Sequence, residues 1–193
     1  FQDLLIETPW PLILVILGAL SWWGSRSWKM VVGTVLAFLF IGWLDMWEDT
    51  MATLAIVSVA TLLCIAIGIP IGILMARSDR VQAMILPVLD IMQTIPSFVY
   101  LIPVVMLLGI GKVPGLLAVM IYAIPPSVRL TNLGIRLVDK EVLEAADAFG
   151  SSYRQKLFQV QIPLALPNIF AGVNQTIMMA LSMVVIAAMI GVP

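Results

Sequence analysis

Histidine is missing from all 193 residues, and cysteine occurs once, as Cys64 inside an apolar run. A disulfide, a Cys/His zinc site and a Ser-His or Cys-His nucleophile pair are thereby excluded from this chain. Charge is scarce as well: 10 basic and 11 acidic residues amount to 11% of the chain and a net charge of −1. That balance gives nucleic acid no electrostatic footprint. No Gly-x-x-x-x-Gly-Lys-Ser/Thr phosphate loop occurs, so ATP binding and hydrolysis are not expected on this polypeptide. What is abundant is apolar: 62% hydrophobic residues and a mean hydropathy of +1.10, where soluble domains carry roughly 45–50% apolar residues. A water-soluble globule this short cannot hide so much apolar surface. The sequence describes an integral membrane protein, and a soluble enzyme is close to excluded.

The charges cluster, leaving charge-free runs at 8–25, 30–44, 50–76, 91–111, 113–128 and 157–193. A helix crossing the hydrocarbon core needs about 20 mostly apolar residues. Six spanning helices are expected, near 9–25, 29–46, 51–76, 91–110, 113–128 and 163–191, the second and fifth being short. The runs are continuous rather than alternating, which favours helices over a barrel. No long internal repeat or Gly/Ser linker divides the chain, so one transmembrane domain over 1–193 is expected. The chain starts at Phe1 without a signal-peptide pattern and stops inside an apolar stretch at Pro193. A C-terminally truncated fragment of a longer protein is the expectation.

Orientation follows from the basic residues. Arg26 and Lys29 lie in the first loop, Arg77 and Arg80 in the third, and Arg129, Arg136, Lys140, Arg154 and Lys156 in the fifth. Only Lys112 falls on the opposite side, which also carries Asp3, Glu7, Asp45, Glu48 and Asp49. The positive-inside rule puts the larger basic group in the cytoplasm. Trp10, Trp22, Trp23, Trp28, Trp43 and Trp47 all fall at expected helix ends, as interfacial belts require.

The cytoplasmic segment 129–162 holds nine of the 21 charges. Asp139 is suited to N-cap a helix through Phe149, which Gly150 can end in a left-handed conformation. Ser152 with Gln155 forms a capping box for a second short helix. That helix presents Tyr153, Leu157, Phe158 and Val160 on one face and is expected to stop before Pro163. Two amphipathic helices around a Gly-Ser-Ser turn suit either a plain connector or insertion into a partner's groove.

Glu144-Ala145-Ala146, Gly150 four positions later, and Val160-Gln161-Ile162-Pro163 resemble the Glu-Ala-Ala loop of ATP-binding-cassette importer permeases. The spacing is kept, with Val160 for Ile and Ile162 for Leu as the departures. From about residue 51 onward the chain is similar to the glycine betaine/proline betaine branch. The carrying segments are Ile69 to Ile73, Asp90 to Pro96, Phe98 to Leu101, Gly109 to Gly111, Asn132 to Ile135, Asn174 to Met178 and Ala180 to Ala187.

The resemblance implies an all-α polytopic fold, a type I importer permease-like bundle with kinked transmembrane helices and a cytoplasmic coupling-helix hairpin. It implies that 141–152 docks on a separate nucleotide-binding ATPase dimer, where ATP and Mg would bind, with no cofactor on this chain. Glu144, Ala145, Ala146, Phe149, Gly150 and Ser151 would form the coupling site, Ala145, Ala146 and Ala148 keeping the contact side small. Glu144 pairs with Arg154 or Lys156, with a group across the interface, or with Lys140 on a solvated face. Further implied partners are a solute-binding protein, separate or fused, a second permease copy and the lipid of a bacterial inner membrane. The implied cargo is a quaternary-ammonium osmoprotectant such as glycine betaine. Choline, carnitine or an amino acid as the solute, and an ion-gradient-driven carrier working alone, are the alternatives.

Inside or bounding the expected spans, prolines recur at 70, 87, 96, 103, 125 and 126, where they serve a gated pathway or packing. Gln93, Thr94 and Ser97 cluster on the fourth run, with Gln93 and Ser97 expected on one face. Asn174, Met178 and Ser182 share a face of the sixth, beside a Gly172, Thr176 and Ala180 stripe suited to close helix contact. These polar residues line a pathway or bond neighbouring helices. Phe98 and Tyr100 are aromatic candidates for a cationic solute. Asp90, the one carboxylate near a span, is expected at the cytoplasmic interface, since 91–111 already spans without it.

Overall fold

The computed structural model describes residues 2–189. The tail of the sixth expected span, residues 190 and 191, lies outside them, as do Pro193 and the side chain of Asp3. Among the described residues every regular element is helical. Packing divides the chain into two compact units, Phe1–Ser58 and Val59–Pro193.

In the first unit, α1 (Gln2–Glu7) leads into α2 (Trp10–Ser25) and α3 (Trp28–Trp43). Proline in the first turn of α2 costs nothing, because those N–H groups have no helical partner. Arg26 ends α2 in the left-handed region at φ 50°, its N–H donating to the Trp22 carbonyl at 2.9 Å. The two helices pack as a hairpin, with Gly18 against Val31 and Val35 and Trp22 edge-on to Trp28 at 5.9 Å. Each has 16 residues, a rise of about 24 Å, short of the ~30 Å hydrocarbon core. Of the six expected spans, these two fall below that thickness as regular helices.

α4 (Trp47–Arg77), α7 (Lys112–Arg136) and the continuous helix Tyr153–Met189 are long and apolar enough to span. The expected fourth span is instead a bent pair, α5 (Asp79–Thr94) and α6 (Ser97–Leu108), meeting at 95°. Pro96 breaks it. Ile95, the residue before proline, is driven out of the helical region to ψ 129°. Pro70, Pro87, Pro103, Pro125 and Pro126 all lie inside uninterrupted helices, so only one of the six noted prolines breaks its helix. Ser78 caps α5 by accepting the Val81 N–H, and α5 lays Val81, Ile85, Leu89 and Met92 against Met75 and Val128.

The second unit is built on α7 and the last helix, α10 (Ile162–Met189). They approach through residues too small to keep them apart. A Cβ at Gly134 would sit 2.7 Å from Asn168 Cβ, and one at Gly172 would sit 3.2 Å from the Pro126 carbonyl oxygen. On α4, Gly68 meets Ser127 and Gly72 meets the Val128 carbonyl in the same way. Gly172, Thr176 and Ala180 are buried, and the expected stripe is a packing seam.

Two boundaries differ from expectation. α7 runs past residue 128 to Arg136, because charge marks where lipid ends and not where the hydrogen-bond ladder ends. The second hairpin helix does not stop before Pro163. α9 (Tyr153–Gln155) continues through a π-helical segment, Lys156–Gln161, into α10. There the Ile162 N–H reaches back to the Leu157 carbonyl. This widened turn relieves the clash that Pro163 would otherwise make with the carbonyl four residues before it.

Candidate functional site: a capped hairpin at the foot of the bundle

The segment between α7 and α10 folds by local rules alone. Asp139 accepts the Glu141 N–H at 2.9 Å and starts α8 (Lys140–Ala148). Gly150, at φ +76°, ends it. The Gly150 N–H donates to the Asp147 carbonyl at 2.9 Å and the Ser151 N–H to the Ala146 carbonyl at 3.0 Å. Those two bonds are the paired closure of a Schellman turn, which a left-handed glycine permits. The capping box follows at once: the Ser152 N–H donates to Gln155 Oε1 at 2.8 Å, and the Gln155 N–H to Ser152 Oγ at 3.4 Å. Lys156 Nζ closes the hairpin on both Asp147 carboxylate oxygens, at 2.6 and 2.7 Å.

Ala146 and Leu157 turn inward and are buried, while Glu144, Ala145, Ala148 and Gly150 are exposed. Phe149 is 90% exposed at the tip. The outward face is therefore small residues flanking one aromatic ring, with Ala146 withdrawn to the inner side, contrary to its expected place on the contact face. Ser151 is partly covered. Among the described residues Glu144 makes no ion pair, since Lys156 is taken by Asp147. That pair is not legible from sequence, because its members stand nine residues apart across a turn, outside the helical i, i+4 rule. A groove of about 270 Å³ lies beside α8, lined by Gly134, Leu137, Val138, Asp139, Val142, Leu164 and Asn168.

Both arms of the hairpin are tied to the end of α4. Arg77, its last residue, donates from Nε to the Tyr153 hydroxyl at 2.7 Å, with the guanidinium carbon 4.7 Å from the ring centre. Arg136, at the end of α7, donates to the Met75 carbonyl at 2.9 Å and to Asn132 Oδ1 at 3.1 Å, and pairs with Asp79 at 2.7 Å. Apart from Asn132, four residues before Arg136, none of these partners was legible from spacing, since they lie 57 to 76 residues apart.

The pathway candidates are dispersed. Gln93 and Thr94 end α5 and Ser97 begins α6, so the 95° bend separates the face that Gln93 and Ser97 were expected to share. Thr94 Oγ1 turns back to the Ile91 carbonyl. Phe98 is half-exposed. Tyr100 is fixed: its hydroxyl donates to the Met92 carbonyl at 2.7 Å, the very group that the missing N–H of Pro96 leaves unpaired. Its ring lies 6.4 Å from that of Tyr122. Asn174, Met178 and Ser182 share the exposed face of α10, opposite the packing seam, and Ser182 Oγ donates to the Met178 carbonyl at 3.0 Å. Among the described residues no hydrogen bond joins the α5–α6 group to the α10 group. Asp90 is exposed and pairs with Arg129 at 2.5 Å.

Apolar helices long enough to span, a proline-broken pair and a capped hairpin define a polytopic membrane protein. Residues 68–193 match the family described as binding-protein-dependent transport system inner membrane component, and the chain belongs to that family. It is 52% identical, over all of its length and 54% of the relative's, to the glycine betaine/proline betaine transport system permease protein ProW of Escherichia coli (strain K12). It is 50% identical, over 95% of its length and 66% of the relative's, to the glycine betaine/carnitine transport permease protein GbuB of Listeria monocytogenes serotype 1/2a (strain 10403S). The choline transport system permease protein OpuBB of Bacillus subtilis (strain 168) is 32% identical over 69% of this chain and 61% of its own. The chain spans about half the length of the first of these relatives.

Proposed function

We propose that this chain is the membrane permease part of an ATP-driven, binding-protein-dependent importer of glycine betaine/proline betaine-type solutes. The observation that carries the reading is the hairpin. A lone carrier has no need of a doubly capped helix pair that exposes Ala145, Ala148 and Phe149 below the bundle. A separate ATPase subunit needs such a rigid, small-faced element to grip. The expected mechanism is alternating access. ATP binding closes the partner dimer, the hairpins of two permease copies move together, and the pathway turns from inward- to outward-facing. The clustering of basic residues supports a cytoplasmic 129–162, and Glu144, exposed and unpaired within the hairpin, is free to meet a basic group on the ATPase. The solute assignment is supported by the names of the relatives with half or more of their matched residues identical. Carnitine is named beside glycine betaine for the relative at 50% identity and alone for one at 34%, and stands second; choline, named for a relative at 32%, stands third. An ion-driven carrier is disfavoured because the carboxylate it would use, Asp90, is exposed and ion-paired.

The test is uptake by the full-length protein reconstituted with its ATPase and betaine-loaded binding protein. Gly150→Val forces a β-branched residue to φ +76° and is expected to abolish ATP-driven uptake, as is Glu144→Lys. Uptake left intact by both would remove the coupling role.

A further inference from the structure

The hairpin does not hang from the bundle by its peptide connections alone. Its outgoing arm follows Arg136, which holds the Met75 carbonyl and Asp79, and its returning arm begins at Tyr153, which holds Arg77. Met75, Arg77 and Asp79 belong to one short corner, where α4 ends and α5 begins. That corner is itself locked, upstream by Gly72 against Thr131 and the Val128 carbonyl, downstream by Leu89 against Met75 and Val128. Beyond it, α5 leads to the Pro96 break and α6.

We infer that the α4–α5 corner is the receiving end of the lever, and that the Arg77–Tyr153 contact is the positioning link transmitting hairpin displacement to it. The inference rests on the coupling reading above. The chemistry of the link suits the task. A guanidinium stacked on a phenol ring and hydrogen-bonded to its hydroxyl resists sliding in the ring plane as well as separation, which a point-charge lysine cannot do. A cation closing the last turn of α4 would also gain from the helix dipole, but that role needs no ring. The Arg136 clamp holds the outgoing arm against the same corner, so pivoting of the hairpin loads α5 through both arms. Nothing in the turn chemistry of the hairpin requires Tyr153: the capping box uses Ser152 and Gln155 only. An aromatic at 153 is thus a demand of the Arg77 contact and not of local folding.

The experiment measures solute imported per ATP hydrolysed, in proteoliposomes holding the full-length permease, its ATPase and binding protein. Variants are Tyr153→Leu, Arg77→Gln and their combination, with Tyr153→Phe as the conservative control. The expected result is a drop of about fivefold in each single variant, the low end of measured coupling between sites. The double variant should fall no further than the worse single one, because one link is broken in either case. Tyr153→Phe, which keeps the ring face, should recover most of the ratio. An unchanged ratio in Tyr153→Leu, or single effects that multiply in the double, would overturn the link. Should Tyr153→Leu fail to assemble, Arg77→Gln against Tyr153→Phe decides alone: both at the wild-type ratio would overturn it. Cross-linking from Ala148→Cys to the ATPase separates the two levels. With cross-linking normal and the ratio unmoved, only the Arg77–Tyr153 inference falls. With no cross-link even in the Ala148→Cys protein, the coupling reading falls and this inference with it.

Discussion

Glycine does two different jobs here, and the structure separates them. At Gly72 the missing side chain is a steric necessity: an added Cβ would lie 2.7 Å from the Val128 carbonyl oxygen, a backbone atom that cannot swing away. At Gly33 an added Cβ meets nothing within 4 Å. Gly72→Ala is therefore expected to destabilise the protein by at least about 1–3 kcal/mol through forced separation of α4 from α7. Gly33→Ala should be neutral or stabilise by up to about 1 kcal/mol through helix propensity. Thermal unfolding of the two variants in detergent checks the contrast, and equal shifts would contradict it. Little of this was legible in the sequence. The Gly172, Thr176 and Ala180 stripe could be read because its members repeat every four residues on one helix. Gly72 could not, because its reason lies on another helix, at Val128 and Thr131. The same limit hid the Asp147–Lys156 and Arg129–Asp90 pairs.

Elements were legible where local chemistry decides them. Asp139, Gly150 and the Ser152/Gln155 box ended and started helices as their side chains dictate, because capping is settled within four residues. Boundaries were not legible where a hydrogen-bond ladder ran on against a boundary rule. Arg129 did not stop α7, and Pro163 did not stop the helix from Tyr153, since a π turn made room for it. Prolines 87, 96 and 103 bound or interrupt the fourth apolar run, and only the structure distinguishes Pro96, which breaks the helix, from Pro87 and Pro103, which do not. The break is held by Tyr100, whose hydroxyl serves the Met92 carbonyl. Tyr100→Phe leaves that carbonyl without its partner and is expected to cost about 1–3 kcal/mol of stability, with α5–α6 loosened at residues 92–97. Hydrogen exchange across this stretch should rise relative to α7. Unchanged exchange and unfolding temperature would show that the bend does not depend on this bond.

At the scale of the whole molecule, the membrane character and permease class were available from composition and one loop motif. The number of crossing helices was not. Apolar runs report what lipid tolerates, whereas crossing depends on unbroken length. α2 and α3 fall short by that measure, and α5–α6 turns through 95°. Among the described residues, no hydrogen bond joins the polar residues offered as a pathway on α5 and α6 to those on α10. What the chain presents most definitely is a doubly capped hairpin tip, aromatic at its end, braced by two arginines to the corner of the bundle. The most direct measurement is photo-cross-linking from position 149 in the assembled transporter during ATP-driven uptake. A docked lever predicts that this position links to the nucleotide-binding subunit, and that Gly150→Val abolishes both the link and transport. Solute crossing at the normal rate with position 149 linking to no companion protein would contradict it.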